Sequence, residues 1–143
     1  MADILHDFPI AAPPDRVFEA IATPRGLDTW WTMRSTGQPA LGAEYSLYFG
    51  PDYDWRARVT KCAADRSFEL ELTDAMKDWV GSRVTFELEP IPTGTMLRFS
   101  HAGWPQASEH YRISSFCWAM YLRVMRRNIE FGESVPYDRR LEV

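Results

Sequence analysis

The sequence predicts an α+β domain in which a curved antiparallel β-sheet of about six strands wraps a long C-terminal helix, with two short helices after the first strand. Three observations carry this expectation. Between Tyr45 and His101, apolar and polar residues alternate in short runs divided by turn residues, the mark of strands with one wet and one buried face. From Ser108 no glycine or proline interrupts the chain until Gly132, room for about 24 helical residues, or ~36 Å at ~1.5 Å each. The apolar arc of that helix is too broad for one lying on a flat surface and fits one gripped by a sheet that bends around it.

The elements follow in order. Ile4 to Ile10 mixes apolar and polar residues in a short strand-like pattern. Pro13, Pro14 and Asp15 suit a helix start, because the missing proline N–H would be unpaired there anyway and the acid faces the positive end of the dipole. Val17, Phe18 and Ile21 then recur at helical spacing, giving a helix from about 14 to 22. Thr23-Pro24 repeats the start signal for a brief second helix that carries Leu27, Trp30 and Trp31. Thr32 to Gly42 reads as an irregular connection or a weak edge strand.

The period then changes. Tyr45, Leu47 and Phe49 share one strand face, and Gly50-Pro51-Asp52 turns the chain. Trp55, Ala57 and Val59 share the next face, with Arg56, Arg58 and Thr60 opposite. Phe68, Leu70 and Leu72 alternate with Ser67, Glu69 and Glu71. Val84, Phe86 and Leu88 alternate with Arg83, Thr85, Glu87 and Glu89. Pro92-Thr93-Gly94 signals a hairpin, after which Leu97, Phe99 and His101 point one way. On the last helix, Ser108 is the N-cap and Gly132 the C-cap residue. Its apolar residues fall in two neighbouring stripes, Ile113, Phe116, Cys117, Met120, Tyr121 and Val124, then Trp118, Leu122, Met125 and Ile129. One domain covers residues 1–143, with its core at about 3–132 and a loosely held tail at 133–143.

Composition narrows the classes of function. The 143 residues are 45% hydrophobic and 25% charged, ordinary for a globular domain, but 14% aromatic, which raises the question of where so much ring surface is placed. A net charge of −4 lacks the basic stripe of a nucleic-acid binder. Arg123, Arg126 and Arg127 lie late in the last helix, where cations suit the dipole, and read as a solvated face. No apolar run is long enough for membrane insertion, and with no signal segment visible a cytoplasmic location is expected. Cys62 and Cys117 have no metal-ligand spacing and read as buried free thiols.

In this order the motifs resemble a known group. Ala12-Pro13-Pro14-Asp15-Arg16-Val17-Phe18, Leu27-Asp28-Thr29-Trp30-Trp31, Val84-Thr85-Phe86-Glu87-Leu88, Gly94-Thr95-Met96-Leu97, His101-Ala102-Gly103-Trp104 and Phe116-Cys117-Trp118 with Leu122 are similar to those of the START-like, or SRPBCC, superfamily. Within it the chain resembles the family named for the activator of heat-shock-protein ATPase, over about residues 3–132. The glycine pair usual after the second helix is represented by Gly42 alone. The resemblance implies a helix-grip fold. For function it implies a broad range: lipid and hormone carriers, polyketide cyclases, and co-chaperones.

The residues themselves point to a container. The inward sets supply an apolar wall of Trp30, Trp31, Tyr45, Leu47, Phe49, Trp55, Phe68, Phe86, Phe99, Phe116 and Met120, and a curved sheet with one helix leaves a gap that side chains fill or leave open. His101 follows on the inward register at a strand end, as a hydrogen-bonding group or an acid–base group near neutral pH. His6 and His110 read as surface residues. There is no nucleophile motif, phosphate loop or metal-ligand spacing, and the Glu69/Glu71 and Glu87/Glu89 pairs sit on wet faces. The leading expectation is therefore binding of a small apolar or aromatic molecule, lipid-like or polyketide-like, with no cofactor and no metal. A cyclase or dehydratase using His101, and a chaperone ATPase-regulating module, remain alternatives. Exposed aromatics in the second helix or tail allow a homodimer.

Overall fold

In the computed structural model, which describes residues 1–143, seven strands form one antiparallel sheet in the order β1-β7-β6-β5-β4-β3-β2. The strands are β1 (Ala2–Ile10), β2 (Arg34–Thr36), β3 (Glu44–Tyr48), β4 (Asp54–Ala63), β5 (Ser67–Asp74), β6 (Arg83–Ile91) and β7 (Gly94–Trp104). The helices are α1 (Pro14–Ala22), α2 (Pro24–Leu27) and α3 (Glu109–Phe131), followed by a short 3-10 helix, Tyr137–Glu142. The seventh strand is the weak edge strand expected within Thr32–Gly42.

β1 and β2 occupy opposite edges, so the α1–α2 link must cross the sheet, and α1 packs on β5, β6, β7 and α3. The two helices are joined tightly. The Thr23 hydroxyl donates to the Glu19 carbonyl at 2.7 Å and accepts from the Gly26 N–H at 3.0 Å. A Cβ on Gly26 would sit 2.1 Å from that same carbonyl oxygen, so only glycine permits the approach.

Alternation places one row of side chains after another on the concave face. His6, Phe99, Phe86 and Phe68 are successive partners across β1, β7, β6 and β5, and Ile4, His101, Val84, Leu70 and Val59 form the next row. Irregular pairings bend the sheet, in β4–β5 between Arg56 and Ala57 and between Val59 and Lys61, and in β1–β7 between Ala2 and Ile4. The convex face is wet and laced by exposed ion pairs such as Arg58–Glu71, Lys61–Glu87 and Arg98–Asp7. Pairs of this kind contribute about 0–1 kcal/mol each. Glu69 accepts from Thr60 and Thr85 on the same face.

α3 starts and stops as its sequence dictates. Ser108 caps it by accepting from the Tyr111 N–H, and Gly132 ends it in the left-handed conformation at φ 69°. Of its two apolar stripes one faces the sheet along its length, with Trp118, Leu122, Met125 and Ile129 buried, while the other divides: Val124 is buried and Tyr121 packs on the core, but Ile113 and Phe116 are exposed. Phe116 lies about 160° around the helix from Trp118, so both cannot enter the cup, and the larger indole does.

The tail is not loosely held. Arg140 is buried and donates to the carbonyls of Val135 at 3.2 Å, Thr32 at 3.0 Å and Asp28 at 2.7 Å, and the Tyr137 hydroxyl donates to the Phe49 carbonyl at 3.0 Å. The carbonyls just after α2 have no helical partner of their own, and one guanidinium satisfies two of them. Cys62 and Cys117 are free thiols but only half-buried. His6 and His110 are likewise half-buried: the His6 ring lies 3.3 Å from the Ser115 carbonyl, and His110 Nδ1 lies 2.8 Å from Asp78.

Candidate functional site

β7 supplies the centre of the site. Phe99 and His101 point inward by alternation. An extra residue near Gly103, whose φ of +88° suits glycine, then brings Trp104 inward as well, out of step with the alternation. From the opposite side α3 presents Trp118. The 75–82 loop between β5 and β6 drops Trp79 onto His101 with ring centroids 4.4 Å apart. Trp30 and Trp31, expected within the second helix, lie in the turn that follows α2, stacked at 6.0 Å, and the Trp30 indole N–H donates to the Ala20 carbonyl at 2.9 Å.

Five of these rings close into a circuit. Phe49 meets Trp55 at 4.8 Å, Trp55 meets Trp79 at 4.9 Å, and Trp79 meets Trp118 at 6.0 Å. Trp118 meets Trp31 at 5.1 Å, and Trp31 returns to Phe49 at 5.4 Å. Phe49 and Trp55 are half-buried and form the outer rim, while Trp31, Trp79 and Trp118 are buried.

His101 is fully buried, and its partners fix its tautomer. The Trp118 indole can only donate, so its N–H, 3.1 Å from Nδ1, requires that nitrogen bare. Nε2 then carries the proton and donates to Ser82 Oγ at 2.7 Å, and the Ser82 hydroxyl donates onward to the Trp79 carbonyl at 2.5 Å. Burial, with the neighbouring His110 adding to it and Asp78 opposing, pushes the imidazole down to about 3. The ring is therefore neutral at ordinary pH, with both nitrogens engaged. This is poor equipment for acid–base work near neutrality.

Two polar groups in the same cluster are left over. The indole N–H groups of Trp79 and Trp104 are buried and have no acceptor within the protein. A buried donor without a partner costs about 1–3 kcal/mol.

The candidate residues divide into three sets. Trp30, Trp31, Tyr45, Leu47, Phe68, Phe86, Phe99 and His101 lie buried in the cup, and Phe49 and Trp55 stand at its rim. Tyr45 acts as a pillar: its hydroxyl donates to the Ala22 carbonyl, and burial pushes its phenol up. Phe116 and Met120 are not part of the cup. They line a surface groove of about 440 Å³ between β1 and α3, together with His6, Phe8 and Arg123. A second concavity, of about 320 Å³, is polar and lies among Arg16, Glu19, Arg25 and Asn128. Neither is lined by the buried tryptophans, and the space expected between sheet and helix is occupied by indoles at this point. No three His, Cys, Asp or Glu side chains gather as a metal ion would require. Sequence reasoning placed Trp118 on the secondary stripe and passed over Trp79, Ser82 and Trp104. Trp79 sits in a loop without period, and only Gly103 hinted that the alternation would slip before Trp104.

The comparisons agree with this architecture. The chain is similar, at 26% identity and a TM-score of 0.85, to the Aha1 dimer of Colwellia psychrerythraea, with 94% of this chain and 100% of that one covered. A Mesorhizobium loti protein is 22% identical at a TM-score of 0.80, covering 92% of this chain and 99% of that one. CalU16 of Micromonospora echinospora is 20% identical at 0.71, covering 98% and 80%. No match is found among curated proteins. No helix is long and apolar enough to cross a membrane. The model of the family described as activator of Hsp90 ATPase homolog 1-like protein matches residues 11–130, and the chain belongs to that family, with the helix-grip fold its sequence motifs implied.

Proposed function

We propose that the protein binds a small, flat, apolar molecule carrying an acceptor oxygen, within the aromatic cluster around His101, and that Trp79 is the movable wall which admits it. The observation that carries this reading is the pair of buried, unpartnered indole N–H groups on Trp79 and Trp104. A guest carbonyl or ether oxygen between them relieves a cost the closed protein bears, while the faces of Trp31, Trp118 and Phe49 stack on its ring. His101 serves here as a strut. Its chain of hydrogen bonds through Ser82 positions the backbone of Trp79 and, with the Trp118 N–H on Nδ1, leaves neither ring nitrogen free to exchange a proton with a guest. Trp79 is the natural wall to move, because it lies on a loop and its neighbour Asp78 is tied to His110 only through a half-exposed contact.

The test compares 9-fluorenone with fluorene, which have the same outline but differ in the acceptor. Thermal stabilisation and indole quenching are expected for the ketone, with an affinity at least ~10-fold above that of the hydrocarbon, equivalent to ~1.4 kcal/mol. The advantage is expected to vanish in a Trp79→Phe/Trp104→Phe variant that keeps its fold. Equal affinity for both compounds, or no response to either, overturns the reading.

The similar Colwellia protein is described as a dimer. We propose that this chain also pairs with a second copy of itself.

A further inference from the structure

Resting on that proposed pairing, we infer that the interface is the outer face of α3, packed antiparallel against the same face of the second copy about a two-fold axis at Phe116. This face is apolar where a solvated helix should be polar. Phe116 is 67% exposed and Ile113 53%, with Ala119 and Met120 beside them. It also carries both halves of a self-complementary contact. Phe116 protrudes, and next to it runs the groove of about 440 Å³ lined by Phe8, Ala119 and Met120, which can receive the ring of the second copy.

Charge fixes the direction. Glu109 in the first turn and Arg123 further along are exposed, and neither has an ionic partner within its own chain. They lie equally far on either side of Phe116, about 10 Å along the axis. An antiparallel arrangement centred on Phe116 therefore sets each Glu109 against Arg123 of the second copy. It also sets Ile113 over the small Ala119, where close approach is easy, and Arg112 along Met120. A parallel arrangement would oppose like charges and leave both apolar knobs without holes. The antiparallel pair also aligns the two helix dipoles favourably.

Sedimentation velocity over a concentration series reads the dimer constant. Phe116→Asp is expected to weaken dimerisation at least ~30-fold, the scale of an aromatic hot spot. Because Phe116 is exposed, the variant's circular dichroism, and its thermal melt at dilutions where the parent is monomeric, are expected to stay those of the parent. Glu109→Arg and Arg123→Glu are each expected to weaken the dimer, and the double variant to recover it. A dimer indifferent to Phe116→Asp, or a charge swap without recovery, overturns this interface while leaving the pairing itself intact. A parent chain that is monomeric throughout the series overturns the pairing and the interface together.

Discussion

Replacing His101 by glutamine and following stability against pH isolates what it costs to keep an imidazole neutral inside this cup. The folded value of about 3 lies below the ordinary 6.5, chiefly because the ring is buried. Below pH ~6.5 the unfolded chain takes up a proton that the folded chain refuses. Stability from this group is therefore unaffected above that pH and falls on acidification by up to ~1.4 kcal/mol per pH unit, amounting to ~2 kcal/mol at pH ~5. The glutamine variant pays a different penalty. It strands the Trp118 N–H and disturbs the Ser82 link, a loss of about 1–3 kcal/mol at every pH. Urea unfolding of both proteins, read by tryptophan emission in steps between pH ~7.5 and ~5, is expected to show the variant less stable at neutrality and the gap narrowing by ~2 kcal/mol as the pH falls. The carboxylates, His6 and His110 are common to both chains and cancel. A gap that stays constant across the range would mean that His101 titrates alike in folded and unfolded chains, and the buried neutral tautomer would be wrong.

Two further outcomes follow from the packing. Arg140→Ala removes hydrogen bonds to three carbonyls and is expected to cost about 2–3 kcal/mol in urea unfolding and to open residues 133–143 to trypsin. An unchanged midpoint and digestion pattern would return the tail to the loose state its composition suggested. Trp118→Ala is expected to cost about 3–5 kcal/mol, against less than about 0.5 kcal/mol in the monomer for Phe116→Ala, although the residues are only two positions apart. Similar losses for both would mean that α3 is rotated from the orientation described.

Most of the fold could be read from periodicity because one buried face fixes strand register. The alternations at Phe68–Leu72, Val84–Leu88 and Leu97–His101 land on the concave side as expected, and Ser108 and Gly132 bound α3. Alternation stops being informative where the backbone slips. Trp104 enters the cup only because the chain bulges at Gly103, and Trp79 enters from a loop where no period applies. On α3 the two apolar stripes offered nearly equal faces, and sequence spacing alone could not decide between Phe116 and Trp118. The decision comes from tertiary packing, with Phe99 4.6 Å and Trp31 5.1 Å from the Trp118 ring. Arg140 was opaque for a similar reason: a guanidinium in a polar tail reads as solvated until its three carbonyl partners are known.

A filled cup and a binding function are compatible once the energies of the closed cluster are compared. The ring contacts around Trp79, with Trp55, His101, Trp104 and Trp118, are favourable by about 0.5–1.5 kcal/mol apiece beyond area burial. The stranded N–H groups of Trp79 and Trp104 oppose this by about 1–3 kcal/mol each. These sums are of the same size, so the wall at Trp79 opens with less net loss than any wall whose polar groups are satisfied, such as Trp30 on the Ala20 carbonyl. A guest that only replaces ring contacts gains little from entering, because the stranded donors remain. Under the proposed function, a guest that also accepts their hydrogen bonds tips the balance, so the proposal expects the acceptor oxygen, and not hydrophobicity alone, to select the ligand.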